Sequence, residues 1–277
     1  MWGIDPYILI GAFMTEPKES KNIFDEAPAF DYDEQAPLID AEEFFKVINS
    51  RRSVRVYKDD PVPGAIMTRS LQAALLAPNS SNLQCWEFYW VKTPEKKAQL
   101  VKACLGQPAA STAPELVVAV ARTKTWNWAR KEMKKIFDET EKSGTKVPAS
   151  ARAYYEKLVP FVYCQGPLGA WGLIKKCLVW SMGWFKVIPR EPTSKAQLKI
   201  WAVKTTALAC ENFMLAMRAQ GYDTCPMEGY DSARIRRILK LPCDAVPVMV
   251  ISAGKRAKGG IYGPRIRFPS ENFIKEV

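Results

Sequence analysis

The chain has 277 residues, a hydrophobic fraction of 48% and a formal net charge of +11. This length can bury a large core in one or two domains. The sequence contains no histidine, which excludes histidine metal centres and the Ser-His and Cys-His nucleophile pairs, and no metal site is predicted. Any reaction at neutral pH is therefore expected to take its reactivity from a bound cofactor.

Charge is unevenly distributed along the chain. Residues 1–43 hold 11 acidic and 2 basic residues, a net charge of −9, and the remainder holds 38 basic and 18 acidic residues, a net charge of +20. A basic body attracts phosphates, nucleotides, nucleic acid or an anionic membrane, and composition does not choose among them. Seven cysteines without a C-x-x-C pair indicate reduced thiols in the cytoplasm. No signal peptide and no membrane span are predicted.

Residues 1–40 combine an apolar start with an acidic, proline-containing segment. Two interpretations stay open for them: an N-terminal arm that packs on another surface, or a partly disordered tail. Asp40 and Glu43 have capping-box spacing, so a helix is predicted to begin at residue 41.

The next elements follow from hydrophobic periodicity. Before residue 123, helices are predicted over 41–50, 63–76 and 95–105, and strands over 86–91 and 116–121. After residue 200, the pattern predicts helices over 200–221 and 232–239, a turn over 225–230 and a strand over 246–253.

Residues 123–200 differ from both flanks, because they are rich in tryptophan and lysine. Residues 126–142 read as a basic amphipathic helix, and residues 159–188 are apolar and glycine-containing but interrupted by Lys175 and Lys176. An inserted lid or subdomain is predicted at about 123–200. A buried helical pair is one alternative, and a peripheral membrane contact is another, since tryptophan and lysine beside apolar faces suit interfaces.

A basic cluster, Arg51-Arg52-Ser53-Val54-Arg55, lies where the first helix gives way to an extended segment. Guanidinium groups bind phosphate oxygens in bidentate fashion and keep their charge. The cluster is either a phosphate anchor or a solvated basic surface.

Four segments together form a pattern. They are Arg51-Arg52-Ser53-x-Arg55, Ala77-Pro78-x-Ser80-x-Asn82-x-Gln84-x-Trp86, Pro226-Met227-Glu228-Gly229-Tyr230, and Arg265-x-Arg267. In this order and spacing they resemble the FMN-dependent nitroreductase family, over roughly residues 42–122 and 200–269. Asn79 where the family often has serine, Cys85 where proline is common before Trp86, and the longer insertion depart from that pattern. A redox role and a buried free thiol stay open for Cys85.

The resemblance implies an α+β fold with a central mixed, mostly antiparallel sheet flanked by helices, in an intertwined homodimer with exchanged C-terminal arms. With the N-terminal arm predicted at residues 1–40, one FMN-binding domain that carries the insertion is expected at 41–277. No side chain is expected to be catalytic, since FMN N5 carries the hydride. The residues expected to bind FMN are Arg51, Arg52, Ser53, Arg55, Pro78, Ser80, Asn82, Gln84, Pro226, Met227, Glu228, Gly229, Arg265 and Arg267.

The reaction implied is transfer of electrons from NADH or NADPH through FMN to a small electron-poor acceptor, a nitroaromatic or a quinone, by a ping-pong mechanism. Reductive dehalogenation and enoyl-type reduction on the same scaffold are alternatives. A basic, tryptophan-rich protein that binds membrane or nucleic acid, with structural flavin or none, is the alternative from another class. No nucleic acid partner is expected under the main interpretation.

Overall fold

The computed structural model describes residues 34–277, so most of the predicted N-terminal arm lies outside the described residues. Helices flank one sheet, whose strands are β1 (Trp86–Trp90), β2 (Glu115–Arg122), β3 (Asp223–Met227) and β4 (Ala245–Gly254). The helices are α1 (Ala41–Ser50), α2 (Gly64–Leu75), α3 (Pro94–Ala103), α4 (Pro108–Ser111), α5 (Trp126–Lys142), α6 (Ala149–Ala153), α7 (Val159–Tyr163), α8 (Ala170–Met182), α9 (Lys195–Ala219) and α10 (Ser232–Ile238).

The strand order is β1-β2-β4-β3, and each neighbouring pair is antiparallel. β2 and β4 occupy the centre, which explains why both read as nearly continuous apolar runs. The residues before α2 add an outer contact to β3 through a parallel bridge between Ser53 and Thr224. The predicted α+β fold with a mainly antiparallel sheet is confirmed.

One predicted turn is wrong, because residues 225–227 belong to strand β3. Proline argues against a strand, since it cannot donate to the ladder. Here Thr224 turns its carbonyl outward to accept from the Val54 N–H at 3.1 Å, and alternate residues share that orientation. Pro226 therefore directs its missing N–H outward as well, and the antiparallel ladder with β4 stays intact.

Apolar layers cover both faces of the sheet. One layer packs Val118, Val120 and Val250 with residues of α3 and α10. The other packs Val117 and Ile251 with residues of α2 and α9. α9 has 25 residues, about 37 Å at the usual rise, and contacts all four strands. Because both faces are covered, open surface near the sheet lies at its edges.

The predicted insertion forms helices α5 to α8, and a π-helical turn, Tyr154–Leu158, joins α6 to α7. Its apolar cluster includes Ala129, Tyr155 and Tyr163 and closes on Leu83 and Leu198. The insertion thus packs against the loop before β1. Among residues 34–277, no helix is long and apolar enough to cross a bilayer.

Candidate functional site

The segment after α1 is an extended strip held on both sides. On one side, the Val54 N–H donates to Thr224 of β3 at 3.1 Å. On the other, the Arg55 N–H donates to the Gly260 carbonyl at 2.7 Å. The Val54 side chain is fully buried, so a core residue fixes the strip and leaves its arginines at the surface.

The C-terminal segment lies directly over this strip. Arg52 Nη2 donates to the Gly263 carbonyl at 2.6 Å, and Arg265 Nη2 donates to the Asn49 carbonyl at 2.9 Å. A Cβ on Gly260 would lie 2.4 Å from the Val56 carbonyl oxygen, so this close approach requires glycine. Residues more than 200 apart in sequence therefore meet within one chain.

A cavity of about 200 Å³ lies between the two segments. Its surface is mainly polar, and five guanidinium groups line it. The lining residues are Arg51, Arg52, Ser53, Arg55, Ile261, Tyr262, Gly263, Pro264, Arg265, Ile266 and Arg267. We name this the arginine cavity.

The arginine cavity is poised for an anion. Loss of solvent and the nearby positive charges of Arg267, Arg52 and Arg51 lower the pKa of Arg265, and like charges held this close repel one another. Glu211 Oε1 lies 3.6 Å from Arg51 Nε, longer than the roughly 2.7–2.9 Å of a strong charge-assisted bond. A dianion in the cavity would relieve this repulsion and accept several hydrogen bonds.

The Pro226–Gly229 segment comprises the last two residues of β3 and the first two of the turn that follows it. Met227 is buried, whereas Glu228 and Gly229 are exposed. Gln107 Nε2 donates to the Gly229 carbonyl at 2.7 Å and holds this turn against the end of α3. The backbone of the turn is thus fixed next to the arginine cavity.

Sequence reasoning missed Cys225, a residue of β3 directly after Thr224, which bonds to the strip. Burial raises the pKa of its thiol, while the charges of Arg55 and Arg51 and a hydrogen bond with Ser53 lower it. The thiol therefore lies within reach of three predicted site residues. The signal was its position directly before Pro226 in the third motif.

The loop carrying Pro78, Ser80, Asn82 and Gln84 has an irregular backbone. Asn82 and Gln84 have φ values of 48° and 44°, a region that bulky residues rarely adopt. The loop bonds to itself, because the Gln84 N–H donates to Asn79 Oδ1 at 2.9 Å and Gln84 Nε2 donates to Asn82 Oδ1 at 3.2 Å. Pro78, Ser80, Asn82 and Gln84 are exposed.

Tyrosines of the insertion hold this loop through contacts that were not predicted. The Tyr163 and Ser80 hydroxyls are 2.9 Å apart, and those of Tyr154 and Ser81 are 2.6 Å apart. Tyr155 Oη also donates to the Ser81 carbonyl at 3.0 Å. Because the partners are more than 70 residues apart, no local pattern marks these contacts.

The predicted site residues fall into two groups at opposite edges of the sheet. The arginine cavity and the Pro226–Gly229 turn lie at the β3 edge, and the Pro78–Gln84 segment precedes β1 at the other edge. Three strand spacings, about 14 Å, separate β1 from β3. One chain therefore keeps the predicted site residues in two separate groups: a basic group at β3 and an amide-bearing group at β1.

Comparisons with known proteins point to one family. The profile described as "Nitroreductase family" matches residues 48–255. The "NADH dehydrogenase" of Thermus thermophilus is 27% identical over 239 residues, 86% of this chain and 96% of its own. "Putative NAD(P)H nitroreductase YdgI" of Bacillus subtilis is 27% identical over 241 residues, 83% of this chain and 96% of its own.

A solved structure extends the comparison to three dimensions. The crystal structure of a "putative nitroreductase in complex with FMN" from Exiguobacterium sibiricum is 26% identical, with a TM-score of 0.61. The match covers 84% of this chain and 97% of that one. Since the family profile matches most of the chain, the protein belongs to the nitroreductase family of oxidoreductases.

Proposed function

We propose that this protein binds FMN and transfers electrons from NADH or NADPH to a small electron-poor acceptor, a nitroaromatic or a quinone. The observation that carries the proposal is the arginine cavity, where five guanidinium groups from the two ends of the described chain meet. The FMN in the related crystal structure and the NAD(P)H in the relative's name support the same cofactors.

The residues present fit FMN. Its phosphate is a dianion, and among residues 34–277 the carboxylate contact of the cavity's arginines is the 3.6 Å separation of Glu211 Oε1 from Arg51 Nε. Arg51, Arg52, Arg55, Arg265 and Arg267 would hold the phosphate. Ser53 would donate to the phosphate or the ribityl chain, and the Pro226–Gly229 turn would contact the ring. When bound, FMN supplies reversible two-electron chemistry.

The amide-bearing group supports a homodimer. The Pro78–Gln84 segment precedes β1 and the arginine cavity lies beside β3, and these two strands are three spacings, about 14 Å, apart. This separation is too large for both groups to serve the same small ring from the same chain in this arrangement. A partner's segment would bring Ser80, Asn82 and Gln84 to the cofactor ring. The apolar face of α1 supports this arrangement, since α1 buries none of its residues and exposes half of Phe44 and Phe45.

The arm geometry differs from the exchange that the resemblance implies. Arg265 bonds to Asn49 and Arg51 of its own chain, so the arginine cavity forms without exchange. We therefore propose that each chain contributes its own phosphate-binding half and that its partner contributes the loop.

The phosphate assignment is tested by FMN titration of the flavin-free protein. Arg55→Ala and Arg267→Ala each remove a charge-assisted partner, and we expect each to weaken FMN binding by about 1.5–3 kcal/mol. Arg69→Ala, which removes an exposed arginine of α2, is the matched control and should bind FMN normally. Normal FMN affinity in both cavity variants would contradict the assignment.

The redox assignment is tested with the same preparation. Without oxygen, NADH or NADPH should bleach the flavin absorbance, and a nitroaromatic or quinone should restore it. Restoration only by a halogenated aromatic or an enone would favour dehalogenation or enoyl-type reduction. A protein that cannot take up FMN would contradict the proposal and leave the alternative of a protein that binds membrane or nucleic acid.

A further inference from the structure

Helix α8 has inverted amphipathicity. Its inward face carries Gly172, Lys175 and Val179, and Lys175 is only 2% exposed. Its outward face carries apolar side chains, which are Leu173 (67% exposed), Ile174 (53%), Leu178 (37%) and Trp180 (54%). A surface helix normally turns its apolar face to the core, so within the part of the chain that the structure describes this outward face has no cover.

The inward lysine has a structural task. Lys175 Nζ donates to the carbonyls of Phe161 and Cys164, each at 3.2 Å, and to that of Val162. These carbonyls lie at the C-terminal end of α7, where a cation is favourable. The orientation of α8 is thus fixed by a specific contact, and its apolar face is held outward.

The turn after α8 also exposes apolar side chains. Trp184 is 76% exposed, Phe185 is 88% exposed and Val187 is fully exposed. Arg190 Nη2 donates to the Gly183 carbonyl at 2.7 Å, and its guanidinium lies 5.5 Å from the Trp180 ring centroid. We name the exposed side chains of α8 and residues 183–188 the apolar face.

Cations border the apolar face. Lys176, Lys186 and Arg190 are exposed, and Glu191 is the single acidic residue between residues 157 and 200. A shallow cavity of about 350 Å³ within the turn is lined by both Trp184 and Phe185 and by Lys186 and Arg190. Apolar side chains bordered by cations are complementary to a surface whose interior is apolar and whose outer layer is anionic.

We propose that the apolar face docks on an anionic phospholipid bilayer. Exposed tryptophan and phenylalanine would enter the headgroup boundary, and Lys176, Lys186 and Arg190 would meet lipid phosphates. A second copy of the chain fits less well, because a twofold interface would bring the same cations face to face. Bilayer docking depends neither on the cofactor nor on the acceptor.

The exposed cysteines provide matched probes for a test on the full-length protein. Cys177 lies on α8, and Cys243 is exposed before β4. Each is labelled with an environment-sensitive fluorophore in a variant that lacks the other, Cys243→Ser or Cys177→Ser. We expect vesicles of phosphatidylcholine and phosphatidylglycerol to shift the emission of the label on Cys177 and to leave that on Cys243 unchanged.

Substitutions separate the electrostatic part of the bilayer contact from its apolar part. The double variant Lys176→Glu/Lys186→Glu should lower partitioning onto anionic vesicles on the order of tenfold or more, because each lysine near an anionic surface contributes to binding. Trp184→Ser/Phe185→Ser should lower partitioning on all vesicles. Trp128→Ser, which removes a tryptophan of α5 that is 62% exposed, should not. Added salt should weaken wild-type binding.

Three outcomes would overturn the proposal. The first is equal sedimentation of the wild-type protein with and without vesicles. The second is an equal loss of vesicle partitioning in Trp128→Ser and in Trp184→Ser/Phe185→Ser. The third is a wild-type protein that does not bind vesicles together with a changed oligomeric state in Trp184→Ser/Phe185→Ser. The last outcome would assign the apolar face to a contact between copies. Unchanged circular dichroism and thermal melting of each variant show that the exposed substitutions leave the fold intact.

Discussion

At the scale of single residues, placement rather than residue type separates reactive groups from inert ones. Cys85 adjoins the amide-bearing group in sequence, yet its side chain is fully buried and its thiol lies 3.7 Å from the Ala202 carbonyl. Burial raises the pKa of Cys85 to about 12. Since the thiolate is the reactive form, the structure favours the buried free thiol over a redox role.

A thiol titration follows from these placements. Burial raises the pKa of Cys104 to about 11 and that of Cys210 to about 12, so these thiols and Cys85 should resist a disulfide reagent at neutral pH. Exposed Cys177 and Cys243 should react quickly. In Cys177→Ser/Cys243→Ser the fast phase should disappear, and denaturant should release the slow thiols. Fast labelling of Cys85 in the folded variant, located by peptide mapping, would contradict this prediction.

Contacts between residues close in sequence could be predicted, whereas contacts between distant residues could not. Asp40 accepts from the Glu42 and Glu43 N–H groups, as the predicted cap requires, because capping is local. The contacts of Tyr154 and Tyr163 with the loop depend on how the insertion folds back, and periodicity carries no such information. The arginine clusters could be paired only through the family resemblance, since their separation hides the cavity.

At the scale of elements, local signals explain both success and error. The helix predicted from residue 200 begins at Lys195, and the missed signal was a cap: Ser194 Oγ accepts from the Gln197 N–H at 3.2 Å. Strand β3 was missed because Pro226 suggests a turn. Helix α8 has apolar residues all around it, so its outward face could be assigned only after Lys175 was located.

The contact between α7 and α8 predicts a specific pH dependence. Burial lowers the pKa of Lys175 from 10.5 to about 8. Between these values the unfolded chain binds a proton at this residue and the folded chain does not, so the contribution of Lys175 to the free energy of unfolding rises with pH. Below pH 8 both states are protonated and the contribution is constant.

Comparison with Lys175→Met isolates this contribution. We expect the free energy of unfolding of the wild-type protein to increase relative to that of the variant from about pH 8 to 10.5, as measured with denaturant. Lys176→Met, which removes an exposed neighbour, should parallel the wild-type protein. A constant difference between the wild-type protein and Lys175→Met would show that burial leaves the Lys175 pKa unchanged.

At the scale of the whole molecule, the proposed dimer joins the two groups of site residues that one chain keeps apart. Phe45 on α1 is 53% exposed, and we expect Phe45→Glu to convert the dimer to monomers because it places a charge in the proposed interface. Sedimentation velocity measures the change, and FMN retention should fall with it.

The matched control for this prediction is Ile136→Glu. Ile136 lies on α5 and is 50% exposed, so the substitution adds the same charge at a similar exposure away from α1. It should leave the dimer and the flavin content unchanged. A Phe45→Glu protein that sediments like the wild-type protein would remove α1 from the interface.

The meeting of the C-terminal segment with the strip after α1 also affects biosynthesis. Arg265 leaves the ribosome 214 residues after Arg51, roughly 10–40 s later at common translation speeds. A nascent chain whose sheet is complete at Gly254 still lacks two of the cavity's arginines. Flavin loading is therefore expected only after Arg265 and Arg267 have been synthesised, and a chain trimmed by a carboxypeptidase past Arg265 should fold but remain colourless.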